Sequence, residues 1–117
     1  AVKRINPNMA FGGQHTMWTL VLFDLPTDTK EARKDYTQFR KLLLKNGFSM
    51  MQYSVYMRHH ASSENASVHV KRVKNALPPD GEVRLLQITD KQFGNIQVFY
   101  GKKKRPVEKA PAQLEFF

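Results

Sequence analysis

Among the carboxylates of this chain, Asp24 has the setting that chemistry needs: in "LVLFDLPTD" it arrives where the apolar run Leu20–Phe23 stops. A buried strand is a rigid support, so a carboxylate at its exit is held in place. From there it can cap a turn, pair with a cation, or hold a metal for chemistry on phosphates. One carboxylate is a poor site for Mg2+, which takes octahedral oxygen ligation and keeps several waters. A two-fold axis changes this. Beside such an axis, Asp24 and its symmetry mate would together hold Mg2+ or Mn2+, activating water and steadying a phosphodiester. The competing reading has Asp24 accepting backbone N–H bonds in the turn that follows.

The remaining candidates are weaker. His59 and His60 are adjacent and point to opposite sides of an extended chain, His69 falls on a helix, and His15 lies in an irregular leader. They form no metal triad and no Ser-His-Asp order, so exposed or capping histidines are expected. There is no cysteine, which excludes disulfides, thiolate zinc and a Cys nucleophile, and which fits a cytoplasmic protein. No GxxxxGK[ST] or GxGxxG loop is present to cradle a nucleotide. Phe23, Tyr53 and Tyr56 have rings that stack on bases, but aromatic residues in strands more often belong to the core.

Charge directs attention to polyanions. Lys and Arg number 19 against 10 Asp and Glu, a formal net charge of +9 on 117 residues. Lys30, Arg33 and Arg40 on the first helix, and Lys102 and Lys103 in "KKKR", are the expected phosphate contacts. Excess lysine that only keeps the protein soluble, and a solvated linker at 102–105, are the competing accounts. No apolar run approaches the roughly 20 residues that span a bilayer, so no membrane partner is expected.

The elements that must position these residues are readable from hydrophobic period. "MWTLVLF", Met17–Phe23, is a continuous apolar strand suited to the centre of a sheet. The next helix starts at Asp28 as N-cap, with Glu31 three residues on, and stops at Gly47. Ala32, Tyr36, Phe39 and Leu43 form its apolar stripe, with Lys30, Lys34, Lys41 and Lys45 opposite. Strands follow near Phe48–Met51 and Tyr53–Arg58, joined by a tight turn or bulge. A second helix is capped by Ser62 or Ser63, carries Ala66, Val70, Val73 and Leu77 inward, and ends at Pro78 and Pro79. "GEVRLLQIT" reads as a strand, "DKQFGN" as a turn and "IQVFYG" as a further strand.

That order, β-α-β-β-α-β with an extra C-terminal strand, predicts an α+β ferredoxin-like fold: an antiparallel sheet with both helices on one face. The other face needs cover, and a homodimer stacked sheet on sheet would supply it. Residues 1–16 read as an irregular leader or tag, 17–101 as the domain, and 102–117 as a basic linker with a final strand at "LEFF" that adds to a sheet edge. The RNA-recognition motif shares this order, but its Gly-aromatic-Gly-aromatic-Val signature is missing here.

Taken together, "LVLFDLPTDTKEARKDYTQFRKLLLKNGF", "QYSVYM" and "LLQITDKQF" resemble the family of CRISPR-associated protein two, the small subunit of spacer acquisition. The resemblance spans Met17 to about Tyr100. It implies a ferredoxin-like homodimer in a prokaryotic cytoplasm that binds duplex DNA and bridges dimers of the CRISPR-associated integrase. It also implies a metal-dependent endonuclease acting on single-stranded RNA or duplex DNA, with Asp24 as the Mg2+ ligand and Phe23 beside it. Some members carry an arginine between the Gly after the first helix and the Gln of Gln-x-Ser-Val. Here Phe48, Ser49, Met50 and Met51 fill that interval, so the role given to that arginine does not transfer. Two other readings stay open at this point: a stand-alone ribonuclease toxin of related fold, and a non-catalytic basic dimer that binds nucleic acid.

Overall fold

The computed structural model describes residues 16–111. Its first strand, β1 (Met17–Asp24), is central in a four-stranded antiparallel sheet of order β2-β3-β1-β4, with β2 at Ser49–Gln52, β3 at Val55–His60 and β4 at Glu82–Thr89. An apolar run without alternation suits this place, because both faces of β1 are covered. Val21 and Phe23 face one way, into a core shared with Phe39, Leu43, Tyr56 and Val73; Trp18 and Leu20 face the other way, against Phe93. The first core holds the two long helices, α1 (Lys30–Lys45) and α2 (Ser63–Lys74), on one face of the sheet. The ferredoxin-like expectation is thereby met.

The stripe read from the sequence is the face that α1 buries: Phe39 and Leu43 are buried, Ala32 and Tyr36 are half-buried, and Lys30, Lys34, Lys41 and Lys45 are exposed. Its cap is one residue later than expected. Thr29, not Asp28, has the extended backbone and accepts the Ala32 N–H at 3.0 Å. Glu31 then stands two residues after the cap, where it complements the helix dipole but cannot close a capping box. The helix stops as expected. Gly47 takes φ +83°, and the Phe48 and Gly47 N–H groups bond the Leu43 and Leu44 carbonyls at 3.0 and 3.1 Å, a Schellman ending. In α2, Ala66 and Val73 are buried, but the helix ends at Lys74 with Asn75 as cap, ahead of Pro78, and Leu77 is exposed.

The expected turn "DKQFGN" is instead a short helix, α3 (Asp90–Gly94). Thr89 and Gln92 form a reciprocal capping box: the Thr89 hydroxyl accepts from Gln92 N–H at 3.1 Å, and the Gln92 amide oxygen accepts from Thr89 N–H at 2.9 Å. This places Phe93 flat on Trp18, ring centroids 3.7 Å apart, while the Trp18 indole donates to Asp90 Oδ1 at 2.8 Å. The sheet face away from α1 and α2 is therefore partly covered by the chain itself, through Phe93, Ile96 and Val107. Among the described residues, its other end, at Asp24, Glu82 and Arg84, has no such cover, and Leu86 nearby is 49% exposed.

The basic run is not a linker throughout. Lys103–Arg105 form β6, paired with β5 (Val98–Tyr100) in a separate ribbon turned at Gly101 and Lys102, with Arg105 over the Tyr100 ring at 4.1 Å. Gly101, at positive φ, and Lys102 form the two-residue turn of this hairpin. The "LEFF" strand and His15 lie outside the described residues. No described helix is long and apolar enough to cross a membrane.

Candidate functional site

Asp24 is the last residue of β1 and is exposed. Register pairs it with Glu82 of β4, and parity along β1 puts its side chain on the face of Trp18, Leu20 and Leu22, away from α1 and α2. Glu82 is bound by Arg84 at 3.1 Å, whereas among the described residues the Asp24 carboxylate has no ion pair and accepts no hydrogen bond. The expectation that it serves the following turn as a hydrogen-bond acceptor is not met. An unpaired, exposed carboxylate on a rigid strand is a hard oxygen donor of the kind Mg2+ and Mn2+ take. Its donors are few, however, since no described group of three or more acidic or histidine side chains is arranged to hold an ion. One chain thus offers Asp24, with Glu82 already engaged, and a complete site needs donors from elsewhere.

The cationic candidates fall into separate groups. Lys30, Arg33 and Arg40 are exposed on α1, on the opposite face of the sheet from Asp24; Lys102 and Lys103 are exposed on the β5–β6 ribbon. Two of the arginines are anchored. Arg33 donates to the Thr27 carbonyl at 3.0 Å, which ties α1 to the loop after Asp24, and Arg40 Nε donates to the Tyr56 hydroxyl at 2.9 Å. Tyr56 and Phe23 belong to the core as expected, but Tyr53 is 78% exposed at the β2–β3 turn. As exposed cations, Arg33 and Arg40 should act on the phosphate backbone without base readout. We expect alanine at either to weaken duplex binding and to reduce the slope of log K against log[salt] by about 0.9 each. Titrations at several salt concentrations decide this, and an unchanged slope would remove that residue from the contact set.

The histidines are the residues whose surroundings local sequence shows least. His59 and His60 do point to opposite faces of β3, but neither is exposed: the His59 side chain is 4% exposed and His60 fully buried. Each face of β3 is covered by its own layer, which no local pattern reveals. His59 lies 3.2 Å from Asp90 and edge-on to Trp18. His60 sits in a polar chain beneath α2: its Nδ1 donates to the Asn65 amide oxygen at 3.0 Å, and its Nε2 accepts from the Thr19 hydroxyl at 2.9 Å. Burial pushes His60 down to about 4; the Asn65 bond opposes this, and Arg58, His69 and His59 add to it. His69 is lowered for the same reason, burial first, then Arg58 and Arg72. These rings are structural.

Strand order, helix placement and register put the chain in the class of ferredoxin-like α+β domains. Comparison with known proteins narrows that class. The family described as CRISPR associated protein Cas2 matches residues 17–96. A protein of Parvibaculum lavamentivorans named CRISPR-associated endoribonuclease Cas2 is 60% identical over 101 residues, 86% of this chain and 100% of its own length. One of the same name from Flavobacterium psychrophilum is 54% identical, covering 87% of this chain and 89% of that protein. A solved structure described as a crystal structure of Cas2 superposes with a TM-score of 0.53 at 23% identity, over 82% of this chain and 99% of that one, a likeness of fold. The chain belongs to the CRISPR associated protein Cas2 family.

Proposed function

We propose that this chain is a CRISPR adaptation subunit: a homodimer that binds duplex DNA and scaffolds the CRISPR-associated integrase during spacer acquisition, and that also cuts RNA or DNA at Asp24 with Mg2+ or Mn2+. The observation that carries the reading is family membership at 60% identity over the full length of a relative named an endoribonuclease. The free carboxylate at the exit of β1 supports the nuclease part, and the exposed lysines and arginines of α1 support the DNA part.

Support for the dimer comes from the part of the sheet face that the described residues leave open. Half-buried Leu22 and exposed Leu86 share it with Asp24, so a second copy seated there would cover apolar surface and bring another Asp24 toward the first. Such pairing would add a second carboxylate to the one that the described residues of a single chain offer. When bound, the ion would stabilise charge on the phosphodiester and lower the pKa of a water molecule. The chain's own contribution is to hold Asp24 on a rigid strand and to bind the backbone through Arg33 and Arg40.

Size-exclusion chromatography with light scattering tests this reading. The purified protein should elute at twice its 13.6 kDa chain mass and should shift to a larger complex when the integrase and duplex DNA are added. A monomer at micromolar concentration that joins neither would refute it. A dimer that ignores the integrase but cuts single-stranded RNA would instead favour a ribonuclease acting alone.

A further inference from the structure

We propose that Asn46 is a site of spontaneous deamidation that the fold keeps closed. Its neighbours hold the side-chain amide away from the Gly47 nitrogen, and opening of the last turn of α1 exposes it to irreversible conversion to aspartate or isoaspartate. The inference does not depend on the nucleic-acid reading above.

The structure itself imposes the labile pair. Asn46 ties three elements together: its amide nitrogen donates to the Leu42 carbonyl at 3.0 Å within α1, its amide oxygen accepts from Arg72 of α2 at 3.2 Å, and its backbone carbonyl accepts from Arg58 of β3 at 2.7 Å. A side-chain amide suits the first two demands, since it donates with one end and accepts with the other. Position 47 has its own constraint. Its φ is +83°, and a Cβ there would run into the Arg58 guanidinium, so glycine is required. The result is the one Asn-Gly of the chain, in which no side chain on the second residue shields its nitrogen.

The reaction needs only water as co-reactant. The Gly47 nitrogen attacks the Asn46 amide carbon, a C–N bond forms, the C–NH2 bond breaks, and ammonia leaves with the proton given up by the Gly47 N–H. Water then opens the five-membered imide at either carbonyl. One opening gives aspartate, and the other routes the main chain through the side-chain carbon as isoaspartate.

In the folded chain each participant is engaged. The Gly47 N–H donates to the Leu44 carbonyl at 3.1 Å, and ψ 18° at Asn46 keeps its Cβ and the Gly47 nitrogen far from the eclipsed arrangement that a five-membered ring requires. The amide is drawn back along α1 by Leu42 and held at its other end by Arg72. Release needs only the last turn to open, and helix ends open at far lower free energy than the whole fold.

The products differ in what the junction does with them. A carboxylate at 46 meets two cations, Arg58 and Arg72, which already converge on this residue. Isoaspartate adds a main-chain carbon ahead of Gly47, which displaces the Gly47 and Phe48 N–H groups from the Leu44 and Leu43 carbonyls. One opening is thereby recorded as a permanent change of charge where α1, β3 and α2 meet.

The test is peptide mapping by mass spectrometry on the full chain in mildly alkaline buffer, reading the gain of one mass unit at Asn46 with time, folded and in urea. The folded protein should deamidate at least about tenfold more slowly than the unfolded, because reaction waits on local opening. Arg72→Ala releases the amide oxygen and should quicken the folded reaction about threefold, the worth of one hydrogen bond. Thr89→Ala is the control: it weakens the α3 cap without touching this junction, and should leave the Asn46 rate unchanged. Equal rates in folded and unfolded protein would overturn the proposal. So would an Arg72→Ala rate equal to that of the natural protein, or a Thr89→Ala rate raised as much as that of Arg72→Ala.

Discussion

Asp24→Ala should lower Mg2+-dependent cleavage of single-stranded RNA by about a hundredfold or more, since even supporting residues around a metal ligand are worth roughly 10- to 100-fold. Stability should stay within about 0.5 kcal/mol of the natural protein, the range for exposed positions away from caps and cores. If anything it should rise slightly, because Asp24 stands opposite Glu82 in the antiparallel register and like charges so placed repel. Glu82→Gln is the informative comparison. Glu82 is committed to Arg84, so its loss should spare most of the activity. The assay needs labelled RNA with Mg2+, with chelator and with each variant, alongside a melting curve. Equal cleavage by Asp24→Ala and the natural protein would return this carboxylate to a surface position, and cleavage by neither would leave the chain as a scaffold.

The second large effect is on stability in mild acid. His60 is held near 4 in the folded chain and titrates near 6.5 when unfolded, so between these values the unfolded state binds the extra proton. Folding stability that is fully present above pH 6.5 is therefore lost as pH falls toward 4. The loss is on the order of 3 kcal/mol, one pKa unit being worth 1.36 kcal/mol. His69, lowered in the same direction, adds to the slope. Burial is the main reason protonation is refused, and the surrounding groups add to it: Arg58 faces His60 from β3, His69 from α2, and Thr19 already donates to Nε2. Urea unfolding from pH 7 to pH 4 reads the effect. His60→Gln should be less stable at pH 7, having lost a buried partner for Thr19 and Asn65, yet show a shallower dependence on pH. Identical slopes in the two proteins would show that acid acts elsewhere.

Much of this architecture is readable along the chain because its signals are local. β1 declares itself by an apolar run that no helix period interrupts, and α1 by a stripe from Ala32 to Leu43 with a Gly47 stop. The structure departs from local pattern where two residues compete or where the signal is short. Asp28 and Thr29 are both good caps, and the folded chain uses Thr29. α3 has five residues, too few for any period to appear, although Thr89-x-x-Gln92 was a capping box in plain view. The "ITDKQF" segment that carried the family resemblance thus has a structural task, to set Phe93 on Trp18. What no local pattern holds is sidedness. That Asp24 lies on the face away from Arg40 follows from register and parity between strands far apart in sequence. The same is true of His59 and His60, whose opposite orientations were legible while the layers that bury each were not.

The pairing of β1 on both sides has a consequence for how the chain is made. As the protein emerges from the ribosome, α1, β2 and β3 follow β1 closely, but the strand that closes its second edge begins only at Glu82. For most of synthesis the most apolar segment of the molecule presents an unpaired edge and an uncovered Trp18, whose partners Asp90 and Phe93 come later still. Contacts so distant in sequence form slowly, and an unsatisfied central strand is where nascent chains associate wrongly. Yield in cells should therefore depend on how quickly residues 82 to 93 are delivered, and a shortened chain ending at Thr89 would pair β1 on both sides yet leave Trp18 permanently without Asp90 and Phe93.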